Sequence, residues 1–342
     1  MEKDASLIRR AWGCLLGQIA GDSLGSQVEF KDAATVRALY PSGLDELEGS
    51  ALYGTVPGQP TDDSEMALAL ARTLAQDGGF DAAKVLEAYK AWLKSRPVDF
   101  AHSVFRAMHG KVDARSQSNS ALMRVSPLGV FGARNIPDAS LPCDDGAAPS
   151  LGLLMKDEAV RSLAAQAMDE AALSNPHPLC RVANAAYVIS LAYGIRGGGR
   201  TGMHGAALAV AEGLAAEEDL TEAASRVAQC LRAASAERPA DYQSDMSHVL
   251  VALQNGFWQL LHAEDAGAGV RDTAMQGGDA AANCAVAGSL LGAALDIDSF
   301  PVQWADAVLA CLPEEGRPGV AHPRPKSCWP LDFMPLAEKL LG

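Results

Sequence analysis

Aromatic residues make up only 6% of this chain and charged residues 20%, against 49% hydrophobic residues. So little charge beside so much apolar side chain excludes a disordered tail and a coiled coil. Basic residues are the scarcer sign: 28 Lys and Arg against 42 Asp and Glu give a formal charge of -14. A nucleic acid duplex or an anionic membrane surface would be repelled at long range, so neither is an expected partner. An anionic small molecule could bind only where metal ions, helix N-termini or backbone amides supply positive potential locally. No run of about 18 uninterrupted apolar residues occurs, and the charged start MEKDASLIRRAWG lacks a signal-peptide core. The seven cysteines are widely spaced, without CxxC or a His pair at zinc spacing. They read as buried free thiols in a reducing, cytoplasmic compartment.

Alternating β-branched runs are also missing, and apolar residues recur instead at spacings of three and four, which predicts an all-α fold. No repeat of 33–45 residues argues for a solenoid, so residues 1–342 read as a single compact domain. From Ser6 the apolar set Ile8, Ala11, Leu15 and Ile19 lies along one helix face. Beside it Gly13, Gly17, Gly21 and Gly25 repeat every four residues, although each interior Gly costs about 1 kcal/mol relative to Ala. Another backbone or a ligand must approach that face closely. A second helix is predicted over Ser64–Gln76, opened by Thr61, Asp62 and Asp63 and stopped by Gly78 and Gly79. Further helices are expected near 81–95, 155–173, 179–193, 203–216, 221–236, 243–263, 283–295 and 301–312, with a surface excursion at 134–150.

Two helix starts carry chemistry. Thr61, Asp62 and Asp63 suit an N-cap, but a cap needs one side-chain oxygen and three are present. Adjacent hard oxygens of this kind suit Mg²⁺ or Ca²⁺. Gly277-Gly278-Asp279 opens a later apolar helix and offers one carboxylate, followed by Ala280, Ala281 and Ala282. Glu29 follows the glycine-lined helix beside Phe30 and reads either as a solvated acid or as part of a site. Ser118-Asn119-Ser120 and Asn175-Pro176-His177-Pro178 are polar islands in apolar surroundings; flanking prolines fix the His177 backbone.

In order, the blocks GCLLGQIAGDSLGSQVEF, PTDDSEMALALA, SNSALMRVSPLG, NPHP and GGDAAANCAVAGSLLGA resemble the bacterial ADP-ribosylglycohydrolases, including the dinitrogenase-reductase-activating type. The resemblance implies an all-α fold holding two Mg²⁺ ions, or Mn²⁺, and a hydrolase that removes ADP-ribose from protein side chains, often arginine. Carried over residue by residue, Thr61, Asp62 and Asp63 match the first group of metal ligands and the catalytic block. Asp279 matches the first ligand of the second group, and Glu29 the acid beside the scissile bond. Asn119, Ser120 and His177 match positions near the ADP-ribose, with Ser120 where many members have Gly.

One departure bears directly on activity. Family members usually read GGD-x-D-T, whereas Ala281 and Ala282 place methyl groups where a carboxylate and a hydroxyl are expected to coordinate. Loss of a supporting residue alone weakens a metal site about 10- to 100-fold. The sequence therefore predicts a weak or empty second metal site and slow or absent hydrolysis. The expected partners are ADP-ribose and ADP-ribosylated protein. The alternative is a non-catalytic ADP-ribose-binding protein, or an immunity protein that occludes an ADP-ribosylating toxin.

Overall fold

A computed structural model describes residues 2–136 and 154–342 and places fifteen α-helices among them. The expected excursion at 134–150 lies largely outside the described residues, as does Cys143. In chain order the helices are α1 Glu2–Gly25, α2 Ala33–Leu39, α3 Asp62–Asp77, α4 Ala82–Lys94, α5 His102–Met108 and α6 Ser126–Ala133. There follow α7 Glu158–Ala172, α8 Pro178–Ile195, α9 Gly199–Leu214, α10 Thr221–Ala234 and α11 Val249–His262. The chain closes with α12 Ala266–Ala274, α13 Ala280–Leu295, α14 Val302–Leu309 and α15 Phe333–Leu341. Among the described residues β pairing is limited to two isolated bridges, Asp32 with Gly277 and Ser118 with His248. The fold is all-α.

One contiguous set of buried apolar residues runs from Ala11 in α1 to Leu340 in α15. At its centre α1 and α13 cross at backbone contact, which explains the glycine repeat. A Cβ on Gly17 would lie 2.1 Å from the Gly288 carbonyl oxygen, and one on Gly21 would lie 2.4 Å from that of Cys284. Gly13 meets Gly292 and Gly25 meets Ala280 in the same way. Small residues on both helices thus replace side-chain packing by backbone packing, and the partner on that face is another helix.

Several elements differ from the sequence pattern, each for a local reason. The first helix starts at Glu2 rather than Ser6. The helix expected over 243–263 begins only at Val249, because the His248 Nδ1 accepts from the Leu250 amide and caps it there. The glycine stretch at 197–199 ends α8, but Gly199 already belongs to α9. Helices α2, α5, α6, α12 and α15 are not among those expected from periodicity; all are nine residues or shorter. Among the described residues six cysteines are free and buried, and no helix is long and apolar enough to cross a membrane.

The α1–α13 crossing is open to a direct test. Replacing Gly17→Ala inserts a methyl against backbone that cannot rotate away, and overpacking of this kind costs about 1–3 kcal/mol or more. Chemical denaturation should show that loss, whereas Gly79→Ala, where a Cβ meets nothing within 4 Å, should leave the midpoint nearly unchanged.

Candidate active site

The first turn of α3 is held by a residue far away in sequence. Thr61 is the N-cap by position, yet its side chain makes no capping bond. Asp22, fully buried in α1, takes over that role. It accepts from the Thr61 amide at 3.0 Å, the Ser64 amide at 3.0 Å and the Thr61 hydroxyl at 2.8 Å. Four lowering hydrogen bonds do not offset its burial, which pushes the Asp22 carboxyl up to about 6. Asp22 sits in the quoted GDS block, but a helical periodicity argument gave it no role. Its signal was an acid inside an apolar, glycine-lined helix.

With Asp22 occupied by the backbone, Asp62 and Asp63 are free to face outward into a cavity of about 380 Å³. Asp62 Oδ2 accepts from the Ala101 amide at 3.1 Å. The Thr61 hydroxyl is also 3.0 Å from Asp63 Oδ2, and having one proton it can serve either Asp22 or Asp63. Asp63 Oδ1 is buried with no hydrogen-bond partner.

The second acidic loop arrives from the opposite end of the chain. Gly277 and Gly278 adopt φ of 67° and 73°, and a Cβ on either would lie about 2 Å from the carbonyl of Lys31 or Tyr242. Only glycine permits that approach. It lets Phe30 N–H donate to the Gly278 carbonyl and Gly278 N–H to the Lys31 carbonyl, each at 2.8 Å. Phe30 itself is held at a φ of 61°, which is uncommon for a bulky residue. The clamp delivers Glu29 to the start of α13, where Glu29 Oε2 accepts from the Ala281 amide at 2.6 Å. Asp279 makes no capping bond, so Glu29 satisfies that helix end instead.

Glu29, Thr61, Asp62, Asp63, Asn119 and Asp279 therefore line one cavity, joined by Asp99, Tyr53 and Ala281. Asp62 and Asp279, 217 positions apart, come together. Asp99 was missed by the sequence pattern; Tyr53 donates to its Oδ2 at 2.6 Å. Ser120 and His177 do not line the cavity. Ser120 is fully buried behind it and donates to Asn175 Oδ1 at 2.8 Å. Asn119 Nδ2 donates to Asp279 Oδ2 at 3.1 Å, so the 116–120 loop touches the acidic group through Asn119.

That loop rests on a buried ion pair. Arg124, fully buried, donates through Nε to Glu170 Oε1 at 2.7 Å, and through its terminal nitrogen to the Ser120 carbonyl at 2.8 Å and Ser174 Oγ at 2.9 Å. Tyr89 donates to the same Glu170 oxygen at 2.7 Å. Outside the cavity, His177 and His248 cap α8 and α11 through Nδ1, accepting from Leu179 and Leu250 amides at 3.1 Å. Both neutral rings must therefore carry their proton on Nε2. Gln117 Oε1 lies 3.1 Å from His248 Nε2 and accepts from it, whereas Gln117 Nε2 lies 3.2 Å from His177 Nε2. With its proton on Nε2, His177 thus sets a donor against the donor of the Gln117 amide. Burial lowers the pKa of both rings and the Arg226 charge adds to it, which favours their neutral forms.

Electrostatically acid is set upon acid in this cavity, with Arg106 and His102 also in its lining. Glu29, Asp62 and Asp63 are pushed up first by burial and then by one another's charge, Glu29 chiefly by Asp279 and Asp62 chiefly by Asp99. Among the described residues none of these carboxylates is paired with Lys or Arg. Such a group requires protons or cations. The donor set on the α3 side, hard oxygens with Asp63 Oδ1 unpartnered, fits a divalent cation of the Mg²⁺ type. The α13 side offers Asp279 alone, since Ala281 and Ala282 carry no donor. Among the described residues no three His, Cys, Asp or Glu side chains are already gathered into a closed ligand set.

A sequence model of the ADP-ribosylglycohydrolase family matches residues 3–317. The chain is 39% identical over 128 residues to the ADP-ribosyl-[dinitrogen reductase] glycohydrolase of Rhodospirillum rubrum, a stretch covering 34% of this chain and 43% of that protein. It is 28% identical over 141 residues to the ADP-ribosylarginine hydrolase Tri1 of Pseudomonas putida, covering 36% of each. The matched stretches thus span about two fifths of these relatives' length. A solved ADP-ribosylglycohydrolase-related protein complex superimposes over 98% of both chains, with a TM-score of 0.69 and 23% identity, which establishes the shared fold.

Two predictions follow from the loop supports. Arg124→Met strands the Glu170 carboxylate in the core, and breaking a buried pair from one side costs about 3–5 kcal/mol; urea titration should show that loss, and Glu170→Met in the same background should recover part of it. Gln117→Glu presents two acceptor oxygens to the two Nε2–H groups, so the melting temperature should rise by the equivalent of about 1 kcal/mol. A fall instead would mean that one of the rings carries its proton on Nδ1.

Proposed function

The chain belongs to the ADP-ribosylglycohydrolase family, and on that premise we propose that its acidic cavity binds ADP-ribose on modified protein side chains, with arginine as the linkage, and is built for hydrolysis of that bond. The observation that carries this reading is the convergence of Glu29, Thr61, Asp62, Asp63, Asn119 and Asp279 on one cavity, where among the described residues no Lys or Arg is paired with the carboxylates. The identity to proteins named as ADP-ribosyl hydrolases supports this reading, and since the matched stretches span about two fifths of their length, their particular protein targets are not carried over.

Thr61, Asp62 and Asp63 would hold one Mg²⁺, or Mn²⁺, with Asp279 reaching toward it from the other wall. A bound divalent cation supplies charge neutralisation, a hold on ribose hydroxyls and a more acidic water. The protein's own groups do the rest. Asn119 is fixed by its Asp279 bond and by its amide, which donates to the Ser247 carbonyl at 2.8 Å. Glu29, buried and anchored to the Ala281 amide, stands where it can take a proton from water or steady the positive C1′ as the C–N bond breaks. In that hydrolysis water adds OH to C1′, and its proton leaves with the released guanidine.

The second metal position is impaired in this reading. Ala281 faces the cavity with a methyl and its amide is taken by Glu29, so on the α13 side Asp279 is the one oxygen ligand that helix start provides. Hydrolysis by the chain as it stands is slow or absent. The same feature favours the alternative, a non-catalytic ADP-ribose-binding or toxin-immunity protein on this scaffold. A partner toxin belongs to that alternative and, like bacterial origin, comes from the sequence resemblance, whereas the proposed cytoplasmic location rests on the free, widely spaced cysteines.

Calorimetry decides the metal count: one Mg²⁺ site per chain is expected, and two tight sites would overturn the impairment. The double replacement Ala281→Asp with Ala282→Thr should then give Mg²⁺-dependent release of ADP-ribose from ADP-ribosylarginine protein, at least tenfold above the unmodified chain. Binding of ADP-ribose without any release by the restored variant would favour the binding-protein alternative.

A further inference from the structure

Residues beyond 317, outside the region matched by the family model, are stitched into the back of the cavity wall. Arg324 is buried, and its side chain and that of Glu65 are each 1% exposed. All five guanidinium N–H groups find acceptors. Nε donates to Glu65 Oε1 and one terminal nitrogen to Glu65 Oε2, each at 2.7 Å, a fork on a carboxylate. The same nitrogen donates to Ser95 Oγ at 2.8 Å, and the other donates to the Ser95 and Arg96 carbonyls, both at 2.8 Å. Trp92 Nε1 completes the Glu65 carboxylate at 2.7 Å.

The two elements joined by this one side chain are two of those that carry cavity acids. Glu65 lies in the first turn of α3, immediately after Asp62, Asp63 and Ser64. Ser95 and Arg96 begin the loop that runs through Asp99 to Ala101, whose amide meets Asp62. Arg96 holds a φ of 57°, so the chain turns sharply at the point the guanidinium grips. The segment also ties down the loop bearing Tyr53: Gln59 Nε2 donates to the His322 carbonyl at 3.3 Å, and a Cβ on Gly54 would lie 3.1 Å from Ala321 Cβ. Two turns further along α3, Arg72 donates to the Ser327 and Trp329 carbonyls at 2.6 and 2.8 Å, anchoring the C-terminal segment itself.

We propose that Arg324 is a positioning residue for the cavity, setting the separation between Asp62 and Asp63 on α3 and Asp99 on the 95–101 loop from the side opposite the ligand. The five-donor geometry is what performs this. Lysine would keep the charge against Glu65 but could not also hold the two carbonyls in a planar fork. The role rests on the reading of this cavity as the ADP-ribose site, and it extends the functional part of the chain past the matched region.

The test compares Arg324→Lys, Arg324→Met and the double variant Glu65→Met/Arg324→Met, which removes both buried charges together and so protects folding. Two measurements are made at a temperature where each variant is folded: calorimetric affinity for ADP-ribose with Mg²⁺, and hydrogen exchange in peptides covering 95–101 and in α8. Leu340→Ala, a buried truncation in α15, serves as the control for lowered stability alone. Expected are a tenfold or greater loss of ADP-ribose affinity in the double variant, no rescue by Arg324→Lys, and faster exchange at 95–101 but not in α8. The control should keep its affinity. Unchanged affinity or unchanged exchange at 95–101 in the folded double variant overturns the proposal. If the unmodified chain binds no ADP-ribose, it is the functional reading that fails, and the exchange measurement alone then decides whether Arg324 fixes the loop.

Discussion

Buried carboxylate set against buried carboxylate is the constraint around which this protein is organised. Asp22, Glu29, Asp62 and Asp63 are almost wholly removed from water, and Asp279 and Asp99 close the group. Left to themselves these charges would separate or take up protons, because burial and mutual repulsion act in the same direction. The fold opposes that with backbone amides. Asp22 is held by Thr61 and Ser64, Asp62 by Ala101, and Glu29 by Ala281. Two of these clusters are helix N-termini, whose unpaired N–H groups and dipole favour negative charge. On the proposed reading, a protein of strongly acidic composition thereby acquires a place for a cation and an anionic nucleotide together.

Rigidity for that arrangement comes from the layers behind it. The α1–α13 crossing has almost no side chains between its backbones, so Asp22 on one helix and Asp279 at the start of the other are set at a fixed spacing. Arg124 with Glu170 supports the loop of Asn119. Arg324 with Glu65 supports the opposite wall. Each ion pair is isolated from water, and each guanidinium also holds backbone carbonyls, so the pairs specify loop geometry more than they add stability. Arginine is suited to this where lysine is not, because its planar fork fixes direction as well as charge.

Much of the site was legible in the linear pattern. Three oxygen-bearing residues at a helix start exceeded what a cap requires, a Gly-Gly-Asp opened a second apolar helix, and a four-residue glycine repeat demanded a close neighbour. Each of these is a local excess over what folding needs, and local excess is visible in sequence. Short helices such as α5 and α12 were not visible, since seven to nine residues hold barely two turns of periodicity. The resemblance associates His177 and Ser120 with the ligand; neither is in the lining of the cavity, and the structure shows His177 capping a helix and Ser120 in a buried hydrogen-bond network.

The sequence by itself determined the helical class, the acidic balance, the residues able to hold a hard cation and the missing donors at Ala281 and Ala282. Those are properties of side-chain chemistry and periodicity, which neighbours a few positions apart reveal. Only the tertiary structure decided that Asp22 is a surrogate cap, that Asp99 and Tyr53 join the cavity and that Arg324 braces it. Those relations link residues tens to hundreds of positions apart, and they exist only because helix packing brings backbone donors to carboxylates whose distance along the chain gives no hint of the meeting.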